Sequence, residues 1–182
     1  MLRWTKQKGF TIVELLIVIV VIGILAAITI VAFNGISTRA ENTKTVTGVG
    51  SYYKAIQAYG INTGAYPVAG YPCLGPLGTT CANTTDSSSA CFGAGAAGAN
   101  SAFDTAIKTV LSTAPSLSSQ TMECNGKQYG GAYYSSNAQG TTATITYFLK
   151  GNQPCVKIAG ASLSGPNVDG GATQCTVALP GI

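Results

Sequence analysis

From Phe10 to Phe33 the chain is apolar save for small and hydroxyl side chains, and its one ionisable group is Glu14. As a helix rising about 1.5 Å per residue, this run reaches about 36 Å, more than the ~30 Å hydrocarbon core of a bilayer. It can therefore cross a membrane. A cleavable secretory signal has a shorter apolar region, about 7 to 15 residues, closed by a small-x-small site. Here Leu25-Ala26-Ala27 is followed by the apolar Ile28 to Phe33, which does not fit that pattern. Arg3, Lys6 and Lys8 precede the run, so the N-terminus is expected on the cytoplasmic side and the rest of the chain outside.

A carboxylate at a bilayer centre costs about 2.5 to 3.5 kcal/mol on insertion scales, and less toward the end of a span. Glu14 stands near the start of the run, five residues after Gly9. Either it reaches up to the head groups, or a cation meets it in the same apolar layer. The nearest candidate cation is an α-amino group made by cutting the chain after Gly9 and supplied by a neighbouring copy. Membrane helices gain little hydrophobic energy by leaving lipid for one another, so a charge that only a correctly staggered neighbour satisfies would set register.

At 182 residues, the chain has room for this segment and one modest domain. It contains no His, which excludes Ser-His-Asp and Cys-His catalytic sets and His-ligated zinc. Glu41, Asp86, Asp104, Glu123 and Asp169 are scattered and form neither a local catalytic pair nor a dense oxygen-ligand loop. No enzymatic activity, cofactor or metal is expected. Three of the ten Lys and Arg precede Gly9, leaving seven against six Asp and Glu; this is no electrostatic footprint for nucleic acid. Six cysteines, Cys73, Cys81, Cys91, Cys124, Cys155 and Cys175, follow the apolar run without any C-x-x-C pair. Wide spacing and an even number point to disulfides in an oxidising space rather than to a four-thiolate zinc site, with many alternative pairings open.

Past Phe33, Val46, Val49, Tyr53 and Ile56 recur at steps of three and four. One helix is expected from about Thr11 to about Ile61, apolar all round at first and amphipathic later. Asn34 to Ser37 could bend it, and Asn62 to Pro67 reads as its exit turn. Residues 68–100 are rich in Gly, Pro, Ser and Thr and read as loop, held by Cys73, Cys81 and Cys91. Asn83 opens a glycosylation sequon there, beside a Ser run at Ser87 to Ser89. A short helix is expected from about Ala102 to Ser112, with Ser101 and Asp104 in capping spacing and Phe103, Ile107, Val110 and Leu111 facing inward. Alternation over Thr141 to Lys150 predicts a half-buried strand. Weaker strand signals lie at Lys127 to Ser135, Cys155 to Ala159 and Thr173 to Leu179.

The stretch KGFTIVELLIVIVVIGILAAI, Lys8 to Ile28, resembles the leader and N-terminal helix of class a type IV prepilins. The resemblance implies that a membrane peptidase cuts after Gly9 and methylates Phe10, and that Glu14 pairs with the Phe10 amine of an adjacent subunit during assembly. It implies a leader at 1–9, a transmembrane and filament-core segment at 10–33, and an extracytoplasmic head at 34–182. Within the head, 34–61 would continue the helix, 62–127 would be loop with a short helix, and 128–182 would hold the sheet and a C-terminal disulfide loop. The fold implied is α+β: the long helix packed on three or four antiparallel strands with disulfide-closed loops. Cys155 with Cys175 resembles the closed terminal loop of many pilins, a closure worth roughly 3 kcal/mol in the chain-entropy model. Cys91 with Cys124 and Cys73 with Cys81 complete the preferred set. Val31 stands where many members carry a helix-kinking Pro, and Gly23 offers another place for local unwinding.

The implied function is that of a structural subunit of a surface pilus serving adhesion, twitching or DNA uptake. Implied partners are copies of the chain itself, the peptidase and methyltransferase, the pilus assembly machinery, minor pilins and the cytoplasmic membrane, with DNA or a host surface as candidate contacts. The precursor would be a single-pass cytoplasmic membrane protein, and the assembled form extracellular. One rival is a pseudopilin of a type II secretion or competence apparatus. Another is a monomeric anchored binding module using its nine Tyr as a stacking surface, though such an anchor needs neither the cut site nor Glu14.

Overall fold

The computed structural model describes residues 9–75, 81, 97–124 and 127–182. Two compact units divide at Arg39 and Ala40, inside one continuous helix, α1 (Ile12–Thr63). No Pro interrupts α1, and the helical hydrogen-bond pattern runs through Asn34 to Ser37 without a break. It ends where Gly64 turns to φ +80° and donates its N–H to the Gly60 carbonyl at 2.8 Å. That left-handed residue is a common helix stop because Gly pays no Cβ penalty there.

In the first unit the side chains from Phe10 to Ile30 are exposed on every side of the helix, as an apolar segment without its lipid or helical neighbours would be. In the second unit α1 becomes one-sided. Thr45, Val49, Tyr52, Tyr53 and Ile56 are buried, at spacings that place them on one helical face.

That face belongs to a core shared with a five-stranded antiparallel sheet of order β1-β4-β5-β7-β6. The strands are β1 (Cys73–Leu74), β4 (Ala132–Ser136), β5 (Ala143–Lys150), β6 (Ser162–Asp169) and β7 (Ala172–Ala178), while β2 (Thr121–Cys124) and β3 (Lys127–Gly130) form a separate hairpin. The expected three or four strands are thus exceeded. Lys127 to Ser135 is two strands in different sheets, parted at Gly131, whose φ is +60°. Cys155 to Ala159 is not a strand; the strand that follows it, β6, lies at the sheet edge opposite β1, and sequence alternation could not reveal it. It is exposed along nearly all its length, contains Gly165-Pro166, and shifts register between Ser164 and Asn167. Such devices suit an edge and erase the period-two signal.

β5 is buried on both faces rather than one. Ile145, Tyr147 and Leu149 join the α1 core, and Phe148 joins a second cluster with Cys73, Cys81, Met122, Tyr129 and Tyr133. The β2-β3 hairpin and the Cys73–Cys81 link supply that second layer.

α2 spans Ser101–Lys108, four residues shorter than expected at its end. Its cap is Asn100, whose Oδ1 accepts the Phe103 N–H at 3.0 Å, not the Ser101 and Asp104 pair. Asn is among the best N-caps for this reason. Phe103 and Ile107 are buried as expected, while Val110 and Leu111 pack against the core from beyond the helix.

Seven Tyr are buried, and the hydroxyls of four of them tie loops to the core. Tyr66 donates to the Pro180 carbonyl at 2.7 Å, Tyr134 to Pro67 at 2.8 Å, and Tyr147 to Val156 at 3.3 Å; Tyr52 accepts the Gly75 N–H at 3.0 Å. Only Tyr71 offers a largely open ring, at 52% exposure. Most of the candidate stacking surface is therefore core. Disulfides join Cys73 to Cys81 and Cys155 to Cys175. The Cys91 with Cys124 pairing falls outside the described residues, as do Asn83, Asp86 and Ser87 to Ser89.

Candidate assembly site

The helix start explains itself from four residues. Thr11, Ile12, Val13 and Glu14 form a T-x-x-E capping box, in which each end satisfies a donor of the other. Glu14 Oε2 accepts from the Thr11 backbone N–H and from the Thr11 hydroxyl, both at 2.8 Å. In return the Glu14 N–H lies 3.2 Å from Thr11 Oγ1. Glu14 sits in the first turn of α1, where a negative charge also meets the positive end of the helix dipole.

The cap stops the helix at Thr11. Gly9 and Phe10 lie outside it in non-helical, exposed backbone, and the Phe10 ring is 85% exposed. The Gly9–Phe10 bond is thus not part of a helical hydrogen-bond ladder. Phe10 precedes Glu14 by four residues in the chain. No hydrogen bond of Glu14 Oε1 occurs among the described residues.

Sequence reasoning found Glu14 as a charge and missed Thr11 as its partner, although the T-x-x-E spacing was there to read. Elsewhere the scattered carboxylates stay apart: Asp104 on α2, Glu123 on β2 and Asp169 at the end of β6. Among the described residues no three His, Cys, Asp or Glu come together as a metal site. The first half of α1 is long and apolar enough to cross a membrane.

Residues 4–30 match the family described as the prokaryotic N-terminal methylation motif. Over 63 residues the chain is 38% identical to the type IV major pilin protein PilE1 of Neisseria gonorrhoeae, covering 35% of this chain and 38% of that protein. The fimbrial protein of Neisseria meningitidis serogroup B matches at 38% over 63 residues, 35% of this chain and 37% of that protein. Type II secretion system core protein G of Vibrio cholerae serotype O1 matches at 33% over 67 residues, 37% of this chain and 46% of that protein. The matches span less than half the length of each of these relatives. No solved structure matches the chain.

Proposed function

We propose that the chain, which carries the prokaryotic N-terminal methylation motif over residues 4–30, is a structural subunit of a type IV pilus. It is made as a membrane-anchored precursor, cut between Gly9 and Phe10, methylated on Phe10, and polymerised with copies of itself by a pilus assembly machinery. The observation that carries this reading is the arrangement at the start of α1. An exposed, non-helical Gly9–Phe10 bond is followed directly by a capped apolar helix bearing Glu14. Glu14 then receives the Phe10 amine of an adjacent subunit, which gives assembly its register.

The disulfide-linked second unit forms the head outside the membrane, which fits an oxidising space. The head's role is structural, and adhesion, twitching and DNA uptake are the uses such a filament serves. Likeness to core protein G favours a second reading, a subunit of a short secretion-type fibre.

Mass spectrometry of the N-terminal peptide from fibres sheared off producing cells tests both. An N-methylated Phe10 terminus in abundant surface fibres is the expected result. The same processed terminus confined to the cell envelope would favour the secretion-type fibre. An intact leader in the membrane fraction would remove the filament reading altogether.

A further inference from the structure

Tyr71 differs from the other tyrosines in presenting an open ring, 52% exposed, that is nevertheless held in place. The Gly98 N–H donates to the Tyr71 carbonyl at 3.2 Å, and the Cys73 N–H donates to the Gly98 carbonyl at 2.8 Å. These bonds fasten residues 70–73 beside residues 97–100. Tyr133, 9% exposed, meets the Tyr71 ring edge-on, with centroids 5.9 Å apart and planes at 76°.

The same pairing brings Asn100 to the cleft beside the ring. Gly70, Tyr71, Gly98, Ala99 and Asn100 line an open cleft of about 280 Å³. At Gly70 and Gly98 nothing lies within 4 Å of where a Cβ would stand, so the floor is bare backbone with room above it. Asn100 Oδ1 accepts the Phe103 N–H at 3.0 Å as the cap of α2. That bond assigns the amide its orientation. It leaves Nδ2, which carries two protons to donate, with no hydrogen bond among the described residues.

We propose that this cleft binds one ring of a neutral saccharide, whose C–H face lies on Tyr71 while a hydroxyl accepts from Asn100 Nδ2. The inference concerns the head alone and does not rest on the filament reading. A sugar ring has an apolar face edged by hydroxyls, and tyrosine matches it with an apolar body and a polar tip. Nucleic acid would need Lys or Arg to neutralise its phosphates, and the lining supplies neither. Proline-rich peptides dock in grooves lined by aromatic residues, whereas one ring is open here. The volume falls just under the ~300 to 1,000 Å³ of sites that enclose a drug-sized ligand, which suits a single ring. Because ring and amide are fixed beforehand, little ordering is lost on binding.

Saturation-transfer NMR tests this on the full chain, solubilised in a detergent without a sugar headgroup, with lactose, maltose, chitobiose and a proline-rich peptide as probes. At least one of the sugars should receive saturation on its ring protons, and the peptide none. Tyr71→Leu keeps an apolar contact for Tyr133 and removes the stacking face; it should weaken binding of that sugar at least about tenfold. Asn100→Asp keeps the cap acceptor and removes the donor; it should weaken binding roughly three- to tenfold, the scale of one hydrogen bond. Tyr71→Phe keeps the ring and should bind within about threefold of the parent chain. Thermal unfolding at the parent Tm shows that each variant is folded. The proposal is overturned by saturation of none of the three sugars, by saturation of the peptide instead, or by sugar binding that Tyr71→Leu leaves unchanged. Loss of sugar binding in Tyr71→Phe as large as in Tyr71→Leu overturns the stacking geometry, because the hydroxyl and not the ring would then hold the ligand.

Discussion

Asn42 on α1 pairs through its side-chain amide with both backbone groups of Lys150, the last residue of β5. Its Nδ2 donates to the Lys150 carbonyl at 3.0 Å, and the Lys150 N–H donates to Asn42 Oδ1 at 2.9 Å. The amide behaves as one more residue of a neighbouring strand, fastening the head's helix to the end of its central sheet.

Each of these bonds is worth about 0.5 to 1.5 kcal/mol net, and the site is partly open to water, which favours the lower end. Asn42→Ala should therefore cost about 1 to 2 kcal/mol and lower Tm by roughly 2 to 8 °C for a chain of this size. Asn42→Asp keeps only the acceptor and should lose about half as much. Thermal unfolding of the detergent-solubilised chain measures both, and an unchanged Tm for Asn42→Ala would show that the clamp contributes nothing.

Asn42 also marks where sequence reasoning stops. Its partner is backbone, 108 residues away, so no residue type near Lys150 betrays the contact. The α1 face at Val49, Tyr53 and Ile56 was legible because periodicity is a local property of the chain. β5 was legible as a strand, but its second buried face was not, since β2 and β3 that cover it lack alternation. The same holds at the candidate site, where Glu14 stood out as a lone charge and Thr11 passed as one more hydroxyl in an apolar run.

Burial raises the Tyr134 phenol from about 10 to about 12, against an opposing hydrogen bond with Ser136 and with help from nearby Tyr66 and Tyr59. Burial pushes Tyr52, Tyr66, Tyr133 and Tyr147 up as well. Above the ordinary phenol range the unfolded chain has lost these protons while the folded chain still holds them, so stability falls as pH rises. The stabilisation is full below about pH 10 and is lost progressively toward about pH 12. Because Tyr66, Tyr134 and Tyr147 donate from these hydroxyls, ionisation also removes loop anchors. Absorbance titration of the phenols alongside circular dichroism should show most of them ionising together with unfolding. Smooth titration of these five near pH 10 in a folded protein would contradict their burial.

Gly60 sits inside a helix, where Ala would ordinarily be better by about 1 kcal/mol. A Cβ there would run into Ile182 Cδ1 and would come within 2.6 Å of Tyr66 Cε1. Ile182 is 45% exposed and can move, but Tyr66 is 2% exposed and tied to Pro180. Overpacking a fixed neighbour costs about 1 to 3 kcal/mol, which outweighs the helix gain. Gly60→Ala should thus be destabilising by up to about 2 kcal/mol. Gly50 has open space at its Cβ, so Gly50→Ala in the same helix should be stabilising by up to about 1 kcal/mol. Denaturant unfolding of the pair decides the matter by sign alone.

Cys155 and Cys175 close a 20-residue separation across the head, and Cys175 is fully buried. Replacing both by Ser removes the crosslink and should destabilise the head by about 3 kcal/mol. Placing a Ser hydroxyl at the buried Cys175 position adds about 1 to 3 kcal/mol when it finds no partner. The proposed cut between Gly9 and Phe10 lies in the other compact unit, whose helix start is capped locally by Thr11 and Glu14. Local unfolding of one unit need not reach the other. The double variant should therefore enter the membrane and still show a processed Phe10 terminus by peptide mass, while its head becomes protease-sensitive and its fibre yield falls. Loss of Gly9 cleavage in that variant would mean that the peptidase requires a folded head, and that the two units are coupled during processing.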